Sequence, residues 1–296
     1  MRNAKATAAV IAAAVCFFAA RASSGFSARQ NPPPQEQLGG FIDAIVLPPL
    51  LETDKPATLA VLDQNGRLLP GVGVDLSDGR QVRTDSTGRA RFVVTSSQGD
   101  FTARINFGGD LGARTATANV VSSPSPSTTE VIVSQLPRFA ELGARIEVRG
   151  AGFRGDADMN RVTIGGQPSL VLAASPASLV VLPGANSVPG ETALEITVGA
   201  RRSKPAVFTF VSLTVEPQAI PIVEGKKNQL VVTVRGTDQK IMLSIENRTP
   251  GVIQLPSGNI QRVKSSGGKR NIAVIDMRSL RATDFSVSVK LAPETQ

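Results

Sequence analysis

The chain has 296 residues, 32 of them basic and 24 acidic, for a net charge of +8, with one cysteine and no histidine, tyrosine or tryptophan. Without imidazole, Ser–His and Cys–His nucleophile pairs are impossible, and no histidine pH switch exists. Once Cys16 is discounted, zinc sites on imidazole or thiolate are excluded too, so only carboxylate pairs and Ser–Lys arrangements stay open as catalytic chemistry.

The N-terminus reads as a processing segment. Arg2 and Lys5 precede an apolar run at 7–20, TAAVIAAAVCFFAA, and Ala20-Arg21-Ala22 puts small residues at the two positions a signal peptidase reads. Residues 1–22 are therefore expected to be a secretory signal peptide, too short to serve as a membrane span, and the mature chain to have no transmembrane span. Cys16 lacks the Leu-x-small lead-in of a lipoprotein site. Cleavage after Ala22 removes the only cysteine, so no disulfide or thiolate remains. It also removes three positive charges, which leaves +5. Residues 23–212 are balanced. Residues 213–296, with 12 basic and 7 acidic residues, carry the whole excess.

Residues 23–44, with RQNPPPQEQLGG, read as a Pro/Gln-rich spacer, and SSPSPSTT within 122–129 as a stiff polar linker over 122–128. Between them, 45–121 reads as strand, turn, strand repeated. Asn65-Gly66, Asp78-Gly79 and Asp85-Ser86-Thr87-Gly88 are turn signals. Val72, Val74 and Leu76 form one apolar face, and Phe101, Ala103, Ile105 and Phe107 another. Asp63-x-Asn65-Gly66, Pro70-Gly71-x-x-Val74 and Thr84-Asp85-x-x-Gly88-x-Ala90 resemble the bacterial Ig-like domains of invasin and intimin type, and are similar also to carboxypeptidase-regulatory-like domains. Either resemblance implies a small β sandwich used as a spacer or in adhesion, with no catalytic motif to transfer.

The next unit, 129–213, contains EVRGAGFRGDADMNRVTIGGQ at 147–167. Strands are expected near 130–134, 144–149, 161–165, 169–173, 178–182, 193–198 and 206–211. No helical face follows Gly152, so a phosphate-cradling glycine loop is disfavoured. Asp156-x-Asp158-x-Asn160 lacks the following glycine and the acid at position twelve, Gln167, that a calcium loop needs. Asp156 and Asp158 are read as turn-forming rather than as a metal or glycosidase pair. Gly150 and Gly152 are expected to bulge a strand end, with Phe153 plugging the core. Gly143, Ile146, Val148, Gly150-x-Gly152-Phe153, Val162, Ile164, Gly165 and Gly166 resemble the IPT/TIG immunoglobulin-like domain. That resemblance implies a β sandwich of a kind found in cell-surface proteins, in some polysaccharide-acting enzymes and in certain transcription factors; the signal peptide speaks against the last use.

The third unit, 214–294, alternates at Leu230, Val232 and Val234, at Ile241, Leu243 and Ile245, and at Phe285, Val287, Val289 and Leu291. A third Ig-like sandwich is expected. Asn247-Arg248-Thr249 reads as a turn before Pro250-Gly251. QRVKSSGGKRN at 261–271 places Arg262, Lys264, Lys269 and Arg270 beside a flexible glycine pair, as mobile charges for phosphates or uronic acids. Stacking aromatics are missing nearby, so nucleic acid is not expected as a partner.

The fold class is thus all-β, tandem immunoglobulin-like β-sandwich domains. The function expected is an exported, non-enzymatic structural, adhesive or protein-interaction module at the bacterial envelope or surface. It has no catalytic residue, cofactor or metal. The alternative is a polysaccharide- or polyanion-binding accessory protein using the basic last unit. The partner would be an envelope or surface protein or a polysaccharide. The location would be the periplasm, the cell surface or the medium.

Overall fold

Val-, Ile- and Thr-rich runs punctuated by Gly and Asx turns favour strands over helices. The computed structural model describes residues 42–106, 113–122, 130–217, 224–281 and 283–292. The expected signal peptide, residues 23–41 of the spacer, residues 123–129 and Phe107 lie outside the described residues. Among the described residues the chain is all-β, with a single 3-10 turn at Ala157–Met159. None of them forms a helix long and apolar enough to cross a membrane.

The first core lies under β1 (Ile42–Val46), β2 (Leu50–Glu52), β3 (Pro56–Asp63), β4 (Gly73–Leu76), β5 (Gln81–Arg83), β6 (Arg89–Val93), β7 (Gly99–Asn106) and β8 (Ala113–Val121). Here β1 therefore begins three residues inside the expected spacer. One layer is β1-β3-β6 and the other is β2-β8-β7-β4-β5. Val72, Val74, Leu76, Phe101, Ala103 and Ile105 point between them, as their alternation demands, and Phe92 stacks on Phe101 with centroids 5.5 Å apart.

The second core is enclosed by β9 (Ile132–Gln135), β10 (Phe139–Glu141), β11 (Ile146–Ala151), β12 (Arg161–Ile164), β13 (Gln167–Ala174), β14 (Ser178–Leu182), β15 (Gly190–Val198), β16 (Arg201–Arg202) and β17 (Ala206–Pro217). The β11–β9 register slips between Arg149 and Gly150, and a Cβ on Gly150 would overlap the Ile132 carbonyl. Phe153 follows at 4% exposure, inside the core. The glycine pair of the 147–167 stretch is thus a bulged strand end under a core plug.

The third core lies between β20-β22-β18-β17 and β21-β19-β23. These are β18 (Lys227–Arg235), β19 (Met242–Asn247), β20 (Ile253–Gln254), β21 (Ile260–Lys264), β22 (Ile272–Ser279) and β23 (Val287–Leu291). Asn247 is 6% exposed, and its amide donates to the Ile253 carbonyl at 2.8 Å, which closes the turn expected there.

Two junctions tie the cores together. β13 pairs with β12 through Gln167–Ser169, then with β14 from Leu170 onward, and Ala174 reaches Thr58 of β3. One sheet therefore runs from the first core into the second. β17 pairs with β15 over Ala206–Phe210 and with β18 over Ser212–Pro217, unbroken through Leu213, where the sequence divides the second unit from the third. Glu141 of β10 lies beside this second junction. Burial pushes its carboxyl above the ordinary glutamate value of 4.5, and the charge of Lys290 on β23 pulls in the opposite sense. A folded pKa above the unfolded one means ionisation costs stability. The cost sets in as pH rises past the ordinary value and is complete above the raised one. Glu141→Gln is expected to raise the thermal midpoint at neutral pH and to leave it unchanged below the ordinary glutamate range, as read by calorimetry across a pH series.

Candidate functional site: an inter-core clamp and a charged groove

The strand runs Ala57–Leu62, Val171–Ala174 and Leu179–Val181 are buried on both faces. One face of each fills its own core. The other packs Val46, Ala60 and Leu62 against Leu172, Ala173 and Val180, a fourth apolar cluster belonging to neither sandwich alone. Burial of each large side chain there stabilises docking by about 1.5–3 kcal/mol relative to exposure.

Polar groups complete the clamp. Thr58, 1% exposed, donates from Oγ1 to the Gly155 carbonyl at 2.6 Å and accepts from Ala157 N at 3.4 Å. Leu50 N donates to Ser178 Oγ at 3.0 Å, and the Ser175 and Ser178 hydroxyls both donate to the Leu50 carbonyl. Arg89 Nη1 pairs with Asp158 Oδ1 at 3.1 Å, Arg89 Nη2 donates to the Val171 carbonyl at 2.8 Å, and Arg91 Nη2 pairs with Asp156 Oδ2 at 2.9 Å. Asn160 shapes the loop that presents these acids, bonding Arg154 N, Arg154 O and Asp156 O at 2.8–2.9 Å. Asp156 and Asp158, expected to be merely turn-forming, thus also anchor one sandwich to the next.

The Arg89 side chain is 8% exposed and that of Asp158 59%. Solvent screens the pair from the acid's side, so Asp158→Asn is expected to cost under about 1 kcal/mol. Arg89→Ala removes a donor from a buried carbonyl and leaves a void, and is expected to cost about 2–4 kcal/mol. Urea unfolding of both variants measures the difference.

The four basic residues singled out in the sequence divide between two places. Arg262 and Lys264 are exposed on edge strand β21, where Arg262 pairs with Ser244, which in turn faces Lys290. Lys269 and Arg270 line a groove of about 590 Å³ between the second and third cores, with Arg235. Glu191 and Asp238 enter the same groove, and Thr209 and Thr233 supply hydroxyls. Arg235 and Glu191 were not singled out in the sequence; they sit 34 and 78 residues from Lys269, and only strand pairing brings them near.

The glycine pair beside Lys269 is pinned rather than free. Gly267 N donates to Asn271 Oδ1 at 2.8 Å, and Gly268 N donates to the Asp238 carbonyl. Asn271, 1% exposed, donates to the Gln239 and Thr237 carbonyls at 2.6 and 3.3 Å. Gln239 is held in turn by the Arg138 guanidinium, which stacks over Phe139 with its carbon 5.3 Å from the ring centroid. The glycine pair expected to be flexible is thus held by hydrogen bonds on both sides. Buried amide bonds fix the backbone, and only the outer side chains of Lys269 and Arg270 are free to adjust.

The bulge at Gly150, the Phe153 plug and the nine strands β9 to β17 belong to one unit. Residues 131–210 match the IPT/TIG domain family. The IPT/TIG domain is thus the middle of the chain. It supplies the Asp156–Asp158 half of the clamp and, through Glu191 and Thr209, one wall of the groove. No curated protein matches the chain. Among solved structures, SGBP-B of the Bacteroides ovatus mixed-linkage glucan utilization locus, in complex with a mixed-linkage heptasaccharide, is 12% identical. The match covers 82% of this chain and 73% of that one at a TM-score of 0.29. An auxiliary nutrient binding protein from Bacteroides thetaiotaomicron is 17% identical over 53% of this chain and 39% of its own, at 0.25. The plexin A4 extracellular region is 13% identical over 86% and 23%, at 0.30.

Proposed function

We propose that the chain is an exported, non-enzymatic interaction scaffold of the bacterial envelope or surface. In it three sandwiches are locked into one stiff body that holds its loops and strand edges at fixed spacing. The first unit is a bacterial Ig-like or carboxypeptidase-regulatory-like sandwich, the second the IPT/TIG domain, and the third a further Ig-like sandwich. The clamp carries this reading. A buried apolar cluster, a shared sheet and oriented ion pairs fix the first two sandwiches relative to each other. They are what a module needs to transmit position or load. Inter-domain contacts within a chain are small and polar by default, so relative motion is the ordinary expectation, and the apolar docking here departs from it.

Location tests the reading. The full chain, carrying a C-terminal tag, is produced in a bacterial host and intact cells are treated with protease. Digestion on intact cells, or protection lost only when the outer envelope is opened, supports export. Protection that persists until the cytoplasmic membrane is lysed overturns it.

A further inference from the structure

We propose that the groove between the IPT/TIG domain and the third core binds an acidic saccharide, with Arg235 and Arg270 on its carboxylate or phosphate groups and Glu191 and Asp238 on its hydroxyls. This rests on the interaction-scaffold reading and names a ligand class for it. Five ionised side chains line the groove: Arg235, Lys269, Arg270, Glu191 and Asp238. Among the described residues none of the five is in an ion pair. Opposite charges that share a groove without neutralising each other are available to a ligand that spans them. The volume lies within the range of small-ligand sites, and a junction of two domains is where such sites concentrate.

The chemistry of the lining selects the ligand. Among the described residues no exposed apolar side chain enters the groove, so a hydrophobic anchor finds no partner there. Threonine hydroxyls and carboxylates suit a ligand rich in O–H donors. Guanidinium forks suit planar carboxylates or phosphates. A neutral sugar would leave three cations uncompensated, and a plain polyanion would meet two repelling carboxylates. An acidic saccharide satisfies both sets. The loop pinned by Asn271 fixes the backbone that carries Lys269 and Arg270 before binding, which lowers the ordering cost.

The test is calorimetric titration of the exported chain with defined oligogalacturonate, oligomannuronate and a phosphate-bearing oligosaccharide. Carboxyl-reduced galactan and polyglutamate serve as comparisons. Binding of at least one acidic saccharide is expected, with no binding of the reduced one. Arg270→Ala and Arg235→Ala are expected to weaken it tenfold or more, and Lys264→Ala, outside the groove, to leave it unchanged. Glu191→Gln separates recognition from bulk charge. It weakens a ligand held by its hydroxyls and tightens an unspecific polyanion. Tightening by Glu191→Gln, equal binding of polyglutamate, or no binding across the three acidic saccharides overturns the proposal. The uronate and phosphate arms identify the anionic group. Stiffness of the scaffold is measured separately, so failure here leaves that reading standing.

Discussion

Gly155→Val is expected to undock the first sandwich from the IPT/TIG domain. A Cβ at this position would overlap the carbonyl of Pro56, and the next nearest atom is Ala57 N, so the obstacle is backbone of β3 and no side chain can step aside. Local overpacking costs about 1–3 kcal/mol when the structure absorbs it. Here relief requires moving the loop off β3, which breaks the Thr58–Gly155 bond and opens the cluster around Val46, Leu62, Leu172 and Val180. Loss of that cluster is worth on the order of 5 kcal/mol. Calorimetry of the unaltered chain should show the first two cores unfolding in one transition. The variant should show two, the lower one shifted downward. One transition at an unchanged midpoint would mean that the contact does not couple the cores.

Gly236→Val is expected to have the second large effect, at the other junction. Gly236 has φ of 99°, a conformation that side chains other than glycine rarely adopt. A Cβ there would overlap the Phe210 carbonyl and come within 2.9 Å of Gly190 N and of Pro189. Strain and overpacking together come to about 2–5 kcal/mol. The residue also lines the groove, so loosening this seat should weaken any ligand of the groove as well as lower the unfolding midpoint of the third core. Urea unfolding with saccharide titration on one preparation reads both. Stability lost without any change in binding would separate the groove from the junction.

The alternation of Val72–Leu76 and of Leu230–Val234 made the strands legible, because a half-buried strand repeats every second residue. The bulge at Gly150 was legible because no other residue tolerates that approach. The clamp was harder to read. Its signal is present in the continuous apolar runs ATLAVL at 57–62 and SLVVL at 178–182, which mark strands covered on both faces. Such a run does not say what covers the second face. Ser175, Ser178 and Arg89, all buried, look like ordinary surface residues until Leu50, the Val171 carbonyl and Asp158 stand beside them. The basic cluster was legible only in part. Four cations close in sequence part in space, because Arg262 and Lys264 lie on β21 while Lys269 and Arg270 lie in the loop leading to β22, and the groove takes only the last two. Its other charged members come from β18, from the loop after it and from β15, and pairing alone assembles them.

Spin-label distances read whether the three sandwiches move as one stiff body. Cys16 is the only cysteine, so with it replaced by serine, labels go cleanly onto Thr117→Cys, Arg161→Cys and Lys264→Cys, one exposed position per core, taken in pairs. Narrow single-peaked distributions for all three pairs, with the 117–161 distribution broadening in Gly155→Val, are the expected result. Broad distributions in the unaltered chain would instead describe sandwiches that swing on their connections, and would overturn the stiff body.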